Sequence, residues 1–156
     1  MLRAQLPAGT TDTTAQPQVQ SQDSLHAEAN AALDQHNYPA ALKLLTTLAA
    51  KTPNDAHLLY DLGFTQEALD QTTNAADTYH RAIAADPKYF EPHLSLGLLL
   101  ARSGKYEEAR TELLAATALT TGDPALRARA YRALARLDQA TRPADASDEL
   151  LAAMKL

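Results

Sequence analysis

Residues 53–87 read PNDAHLLYDLGFTQEALDQTTNAADTYHRAIAADP, and the main features of this stretch recur 34 residues further along the chain. Pro53 and Pro87 are one such pair, and the Leu-Gly dipeptides that begin at Leu62 and Leu96 are another. A fixed period of about 20 to 50 residues is typical of proteins built from stacked repeats. Three further columns keep the same register: Ala41, Ala75 and Ala109; Leu45, Tyr79 and Leu113; and Ala82 and Ala116.

Each repeat is predicted to contain two helices joined by a short turn. In residues 55–69, apolar and small side chains recur three and four positions apart, which is the pattern of one helical face. We predict helices over about 55–69 and 74–85, with Asn54 as the N-cap of the first. Pro87 ends the second helix because the residue before a proline avoids the helical region. The same pattern predicts helices over about 24–35, 39–51, 91–103 and 106–119.

The chain beyond the third repeat starts with another helix signal. Asp123 and Pro124 suit the N-cap and the first position of a helix that runs to Asp138. This helix has no partner at the repeat spacing, so we interpret it as a capping helix that covers the last apolar face. A final helix is predicted over about 148–155. The predicted organisation is therefore a repeat domain over 22–138 (repeats about 22–55, 56–89 and 90–123, capping helix 124–138) and a linker with a C-terminal helix over 139–156.

The N-terminal segment, residues 1–21, is rich in Thr, Gln, Pro and Ala without helical periodicity. Such a segment buries too little apolar surface to offset the entropy lost on ordering, so we predict a disordered tail. It lacks the continuous apolar core of a signal peptide. The sequence as given is thus expected to be cytoplasmic, or periplasmic or exported if a signal peptide precedes it.

The composition indicates an all-α protein. The sequence holds 33 Ala and 26 Leu but one Val and one Ile, and strands favour β-branched residues. The net charge of −5 argues against a dedicated nucleic-acid binder. Cysteine is absent, which excludes disulfides and thiolate metal sites. No apolar run approaches the roughly 20 residues that span a bilayer, so no membrane insertion is expected.

These features together resemble the tetratricopeptide repeat (TPR) family. The resemblance covers about residues 22–138, and it departs from the family pattern at Glu28-Ala29 and at Thr121. It implies a right-handed α-solenoid of about three helix-turn-helix repeats plus the capping helix. It also implies that the first helices line a concave groove that binds a peptide or helix of a partner protein.

The groove that the resemblance implies would expose the face of each first helix that the core does not need. Aromatic and leucine side chains would form its apolar floor, with an asparagine for backbone hydrogen bonds and arginines as an anionic anchor. The opposite interpretation is that some of these side chains pack against the next first helix. The candidate partner-binding residues are Asn30, Tyr60, Phe64, Glu67, Leu94, Leu98, Arg102, Arg129, Arg132 and Arg136.

Charge is distributed unevenly along the chain. Residues 124–156 carry a net charge of +2 and residues 1–123 carry −7, so one end of the groove is expected to be basic. Arginine clusters suit carboxylates or phosphates. A solvated arginine face on an end helix is the alternative interpretation. The chaperone-tail clamp of some TPR domains is not expected, because its lysine positions hold His26, Tyr60 and Leu94.

Signals of catalysis are weak. The sequence has no glycine-rich phosphate loop, GxSxG or HExxH pattern, and we predict no catalytic residues and no cofactor. His57 and Asp61 share a helical face, but a zinc site needs three or four ligands, so no metal site is predicted. The favoured function is a non-enzymatic protein-interaction module. The alternative is a structural protein that self-associates as a homo-oligomer, with its groove filled by its own C-terminal helix or by a second copy.

Overall fold

The computed structural model describes residues 21–139 and 142–156, which form eight α-helices. The predicted tail, residues 1–21, lies outside the described residues apart from Ser21, whose hydroxyl accepts a hydrogen bond from the Ser24 amide and caps the first helix. The helices are α1 (Gln22–Asp34), α2 (Tyr38–Lys51), α3 (Ala56–Ala68), α4 (Thr72–Ala85), α5 (Phe90–Arg102), α6 (Tyr106–Ala118), α7 (Pro124–Asp138) and α8 (Pro143–Met154).

Consecutive helices pack against each other along the whole described chain. The first and second helix of each pair are in contact, and each second helix also packs against the first helix of the next pair. The first helices α3, α5 and α7 contact one another in turn. This arrangement confirms the predicted all-α solenoid. No helix in the described part of the chain is long and apolar enough to cross a bilayer.

Three turns between paired helices repeat one backbone geometry. His36, Asp70 and Gly104 are 34 residues apart and share a left-handed conformation, with φ of 55°, 58° and 77°. After each of them, the next amide closes the preceding helix by donating to a carbonyl five residues back, for example from Lys105 to Leu100 at 3.0 Å. This is the Schellman end of a helix, in which one left-handed residue reverses the chain. The equal turns give every pair the same geometry.

The two helices of a pair approach closely where the sequence places glycine and alanine. A Cβ added at Gly63 would lie 2.7 Å from the Tyr79 ring, and one added at Gly97 would lie 2.8 Å from Leu113. The alanine column of the repeat is wholly buried beside these contacts. The Leu-Gly pairs therefore mark the points at which the first helix rests on the second.

Two details of the helix ends correct the sequence-based expectation. The predicted N-cap Asn54 is wrong, because Asp55 accepts hydrogen bonds from the His57 and Leu58 amides, both at 3.1 Å. The last helix starts at Pro143, about five residues earlier than predicted, and packs along α7. The capping helix therefore has a partner, and α7 and α8 form a fourth pair in which Ala146 is buried.

His93 fastens the third pair. The ring is 7% exposed, with Nε2 donating to the Pro87 carbonyl oxygen at 3.2 Å and Nδ1 lying 2.8 Å from Glu112 Oε2. The bond to Glu112 raises the pKa of His93, and the cost of burial opposes it. A buried polar group is tolerated when its hydrogen bonds are satisfied, as they are here. His93 thereby ties α5 to α6 and to the turn that precedes α5.

The helix crossing at Ala75 provides a test of the repeat register. Ala75 is 0% exposed at the point where α4 meets its neighbours. We expect Ala75→Leu to overpack this crossing and to lower the free energy of unfolding by about 1–3 kcal/mol. Thermal denaturation followed by circular dichroism measures it, with Ala84→Leu on the exposed side of α4 as the control. Equal midpoints for both variants would contradict the register.

Candidate functional site

The solvent-facing side of the first helices carries a row of residues in one register. Asn30, Phe64, Leu98 and Arg132 are 34 residues apart and lie at the same position of α1, α3, α5 and α7. Leu98 is half-buried and the other three are exposed. We call these four residues the central row. Its chemistry changes along the solenoid from polar through apolar to cationic.

Two clefts open beside the central row, one between each of two neighbouring pairs of first helices. The lower cleft, between α3 and α5, has a volume of about 390 Å³. The upper cleft, between α5, the start of α6 and α7, has a volume of about 590 Å³. Lining residues of the two clefts match at the repeat spacing: Phe64 with Leu98, Glu67 with Ala101, Thr72 with Tyr106, Leu99 with Ala133, Arg102 with Arg136, and Ser103 with Leu137.

The lower cleft contains a charged pair. Arg102 Nη2 donates to Glu67 Oε1, which joins α5 to α3. Glu67 Oε2 accepts a second hydrogen bond from the buried Tyr79 hydroxyl at 2.9 Å. Burial, followed by the charge of Glu67, raises the pKa of Tyr79, so the phenol keeps its proton and remains a donor. Both oxygens of Glu67 are thus occupied within the protein.

A family model for the tetratricopeptide repeat matches residues 26–90 and 66–125. The chain belongs to the tetratricopeptide repeat family. The described helix pairs, their common turns and the 34-residue spacing are the structural form of that match. A search of curated protein sequences found no match.

Several solved TPR structures share this fold. MamA is 20% identical with a TM-score of 0.78, over 86% of this chain and 77% of MamA. The type III secretion chaperone SycD of Yersinia enterocolitica, solved with a peptide of the translocator YopD, is 21% identical with a TM-score of 0.73, over 80% of this chain and 99% of SycD. The Sgt2 TPR domain of Aspergillus fumigatus is 25% identical with a TM-score of 0.66, over 80% of this chain and 81% of that domain.

The structure separates the apolar candidate residues into exposed and buried ones. Phe64 is 44% exposed, and its ring centroid lies 6.2 Å from that of Tyr38 in an edge-to-face arrangement. Tyr60 is half-buried between Tyr79 and Tyr89, with ring centroids 6.0 and 5.5 Å away. Leu94 is 3% exposed and belongs to the core cluster of α5, α6 and α7. The interpretation as packing against the next first helix therefore applies to Leu94.

The arginine candidates take different positions on α7. Arg129, Arg132 and Arg136 are all exposed, and none of them forms an ion pair within the described residues. Arg136 lines the upper cleft together with Arg102, as the expected stacking requires. Arg132 and Arg136 also border a cleft of about 390 Å³ between α7 and α8. The end of the first-helix surface at α7 is consequently basic.

The acidic side of the surface lies at the other end. Asp34 is exposed on α1, and Asp61 is half-buried on α3. Burial raises the pKa of Asp61, and the neighbouring His57 opposes this shift. Among the described residues, no group of three or more His, Asp or Glu side chains is placed to hold a metal ion.

Sequence reasoning missed a charged cluster at the edge of the upper cleft. Asp138 is fully buried, and Arg110 Nε donates to both of its carboxylate oxygens at 2.9 Å. Arg142 Nη1 donates to Asp138 Oδ1 at 3.1 Å. The hydrogen bond from Arg110 holds the pKa of Asp138 below its usual range. These residues lie in α6, α7 and the start of α8, so no local motif in the sequence connects them.

Glu149 of α8 lies in the electrostatic field of this cluster. Burial, and next the charge of Asp138, raises the pKa of Glu149 to about 7. Because the folded-state value exceeds the unfolded one, the folded protein binds the additional proton. Stability is therefore expected to fall as the pH rises from about 4.5 to about 7.

We expect Glu149→Gln to remove this penalty. The variant should be more stable than the natural sequence by roughly 1–2 kcal/mol at pH 8 and nearly equal to it at pH 4. Urea denaturation at both pH values measures the difference. Asp148→Asn removes the same charge from an exposed position of α8 and serves as the control. A stability difference that does not change with pH would refute the assignment.

Proposed function

We propose that this TPR protein is a non-enzymatic interaction module that binds a segment of a partner protein along its first-helix surface. The observation that carries the proposal is the central row, in which the exposed ring of Phe64 and the half-buried Leu98 lie between polar and cationic neighbours. Exposed apolar surface with a polar rim is typical of sites for partner proteins. The SycD structure with a translocator peptide supports the same function for this chain.

Each part of the surface has a distinct role in the proposal. Phe64 and Leu98 provide the apolar contacts, and Asn30 on α1 is available for hydrogen bonds to the backbone of the segment. Arg129, Arg132 and Arg136 attract negative charge at the α7 end, because nothing in the described chain neutralises them. The segment therefore lies across the first helices with its acidic part toward α7.

A second candidate function is assembly through another copy of the chain. Its support is the outer side of α8, where Leu151 is 53% exposed and Met154 is 82% exposed. Within the described residues, α8 packs along α7 and does not lie across α3 or α5. Self-association of this kind therefore uses a second copy and leaves the central row uncovered.

Affinity capture separates the two candidates. We expect Phe64→Ala/Leu98→Ala to lose a partner from the lysate of the source organism by tenfold or more, because central apolar contacts dominate binding energy. Leu114→Ala, which removes a 40% exposed leucine from α6, is the matched control and should retain the partner. Mass spectrometry quantifies capture after circular dichroism has shown that each variant is folded.

Two results would contradict the groove proposal. One is equal capture by the natural sequence and by the Phe64→Ala/Leu98→Ala variant. The other is capture of the protein's own chain alone, lost in Leu151→Asp/Met154→Asp and retained in the groove variant. The second result would favour assembly through α8.

A further inference from the structure

The two clefts differ at the one position where the lower cleft holds its carboxylate. Arg102 in the lower cleft bonds to Glu67, which lies 35 residues before it. Arg136 occupies the matching position in the upper cleft, and the residue 35 positions before it is Ala101. The upper cleft thus repeats the arginine of the lower cleft without its carboxylate.

The missing carboxylate is not replaced from elsewhere in the described chain. Arg136 is exposed and makes no ion pair within the described residues. The acidic lining residue Asp138 is fully buried and already accepts from Arg110 and Arg142. Glu107, at the rim, is 84% exposed in its side chain and lies 3.9 Å from Arg142. An arginine that faces a cleft with its charge uncompensated favours an anionic ligand.

The rest of the upper cleft is more apolar than the lower one. Leu137 stands where the lower cleft has Ser103, and Ala101 stands where it has Glu67. The hydroxyl of Tyr79 also has no counterpart, because Leu113 occupies the matching position. The larger volume, about 590 Å³ against about 390 Å³, leaves room for an added side chain. Volumes of this size accommodate small ligands or peptide side chains.

We infer that the upper cleft binds a glutamate side chain of the partner segment, flanked by an apolar residue, with Arg136 as the cation that receives it. The Glu67–Arg102 pair shows the geometry inside the same molecule, since a glutamate carboxylate there meets the matching arginine. The apolar neighbour packs on Leu98, Ala133 and Leu137. This inference rests on the proposed function and names the chemistry that its α7 end recognises.

The test uses two peptides that differ in one group. Acetyl-Ala-Leu-Glu-Leu-Ala-amide and its Gln counterpart are titrated into the full ¹⁵N-labelled chain at millimolar concentration. The Glu peptide should shift the amides of Ala101, Ala133 and Leu137 and the Arg136 side-chain NH, and should bind roughly three- to tenfold more tightly than the Gln peptide. Equal affinities of the two peptides, or shifts confined to other residues, would overturn the inference.

Variants of the protein itself sharpen the test. Ala101→Glu supplies the missing carboxylate internally and should abolish the preference for the Glu peptide, as should Arg136→Gln, which avoids introducing a charge beside α5. Glu67→Ala frees Arg102 and should create a second set of shifts in the lower cleft. Arg81→Gln, an exposed arginine on α4, should change nothing. Retention of the preference in both Ala101→Glu and Arg136→Gln would refute the site.

The source of the carboxylate is decided by a third probe. Acetyl-leucine with a free carboxylate should bind more weakly than the Glu peptide, and tighter binding at the same residues would overturn the choice of a side chain over a chain terminus. The proposed function is judged separately by capture of the partner. A partner that is lost in Phe64→Ala/Leu98→Ala but bound equally by Arg136→Gln would leave the proposed function standing and remove this inference.

Discussion

The close contact between the two helices of each pair determines the rest of the structure. At Gly63 and Gly97 the first helix lies so near the second that a single added carbon would meet the side chain opposite at 2.7 to 2.8 Å. A contact of this kind permits one relative placement of two helices, and interiors packed at this density transmit the placement to the next pair. The shared left-handed turns at His36, Asp70 and Gly104 keep it the same from pair to pair.

A constant pair geometry converts spacing in sequence into spacing on a surface. Residues 34 apart come to lie at equivalent points of neighbouring first helices, which produces the central row and the two matching clefts. Function can then vary by single substitutions on an unchanged frame. Replacement of the glutamate of the lower cleft by Ala101 in the upper cleft changes a closed internal ion pair into a site with a free arginine.

Much of this architecture is predictable from the sequence because the repeat constrains many columns together. Buried positions such as Ala75 and Tyr79 follow from the period alone, and the bounds of α7 follow from Asp123 and Pro124. The start of α8 was predicted too late because Pro143, which occupies the first helical turn, was assigned to a linker. Its pairing with α7 depends on side chains from three helices, which have no shared spacing.

The candidate site was predictable in position but only partly in exposure. The register places Leu94 and Leu98 on the same helix, yet contacts from α6 and α7 bury the first and leave the second partly open. Likewise, the pairing of Glu67 with Arg102 depends on the distance between neighbouring first helices, which no single repeat specifies. The cluster around Asp138 escaped prediction for the same reason.

The claim that the first-helix surface binds the partner is tested most directly by site-specific photocrosslinking in the cells that make the protein. Benzoylphenylalanine replaces Leu98 on that surface in one variant and the exposed His80 of α4 in another. The account predicts a crosslinked partner from position 98 and none from position 80. A partner crosslinked from position 80 and absent at position 98 would contradict it.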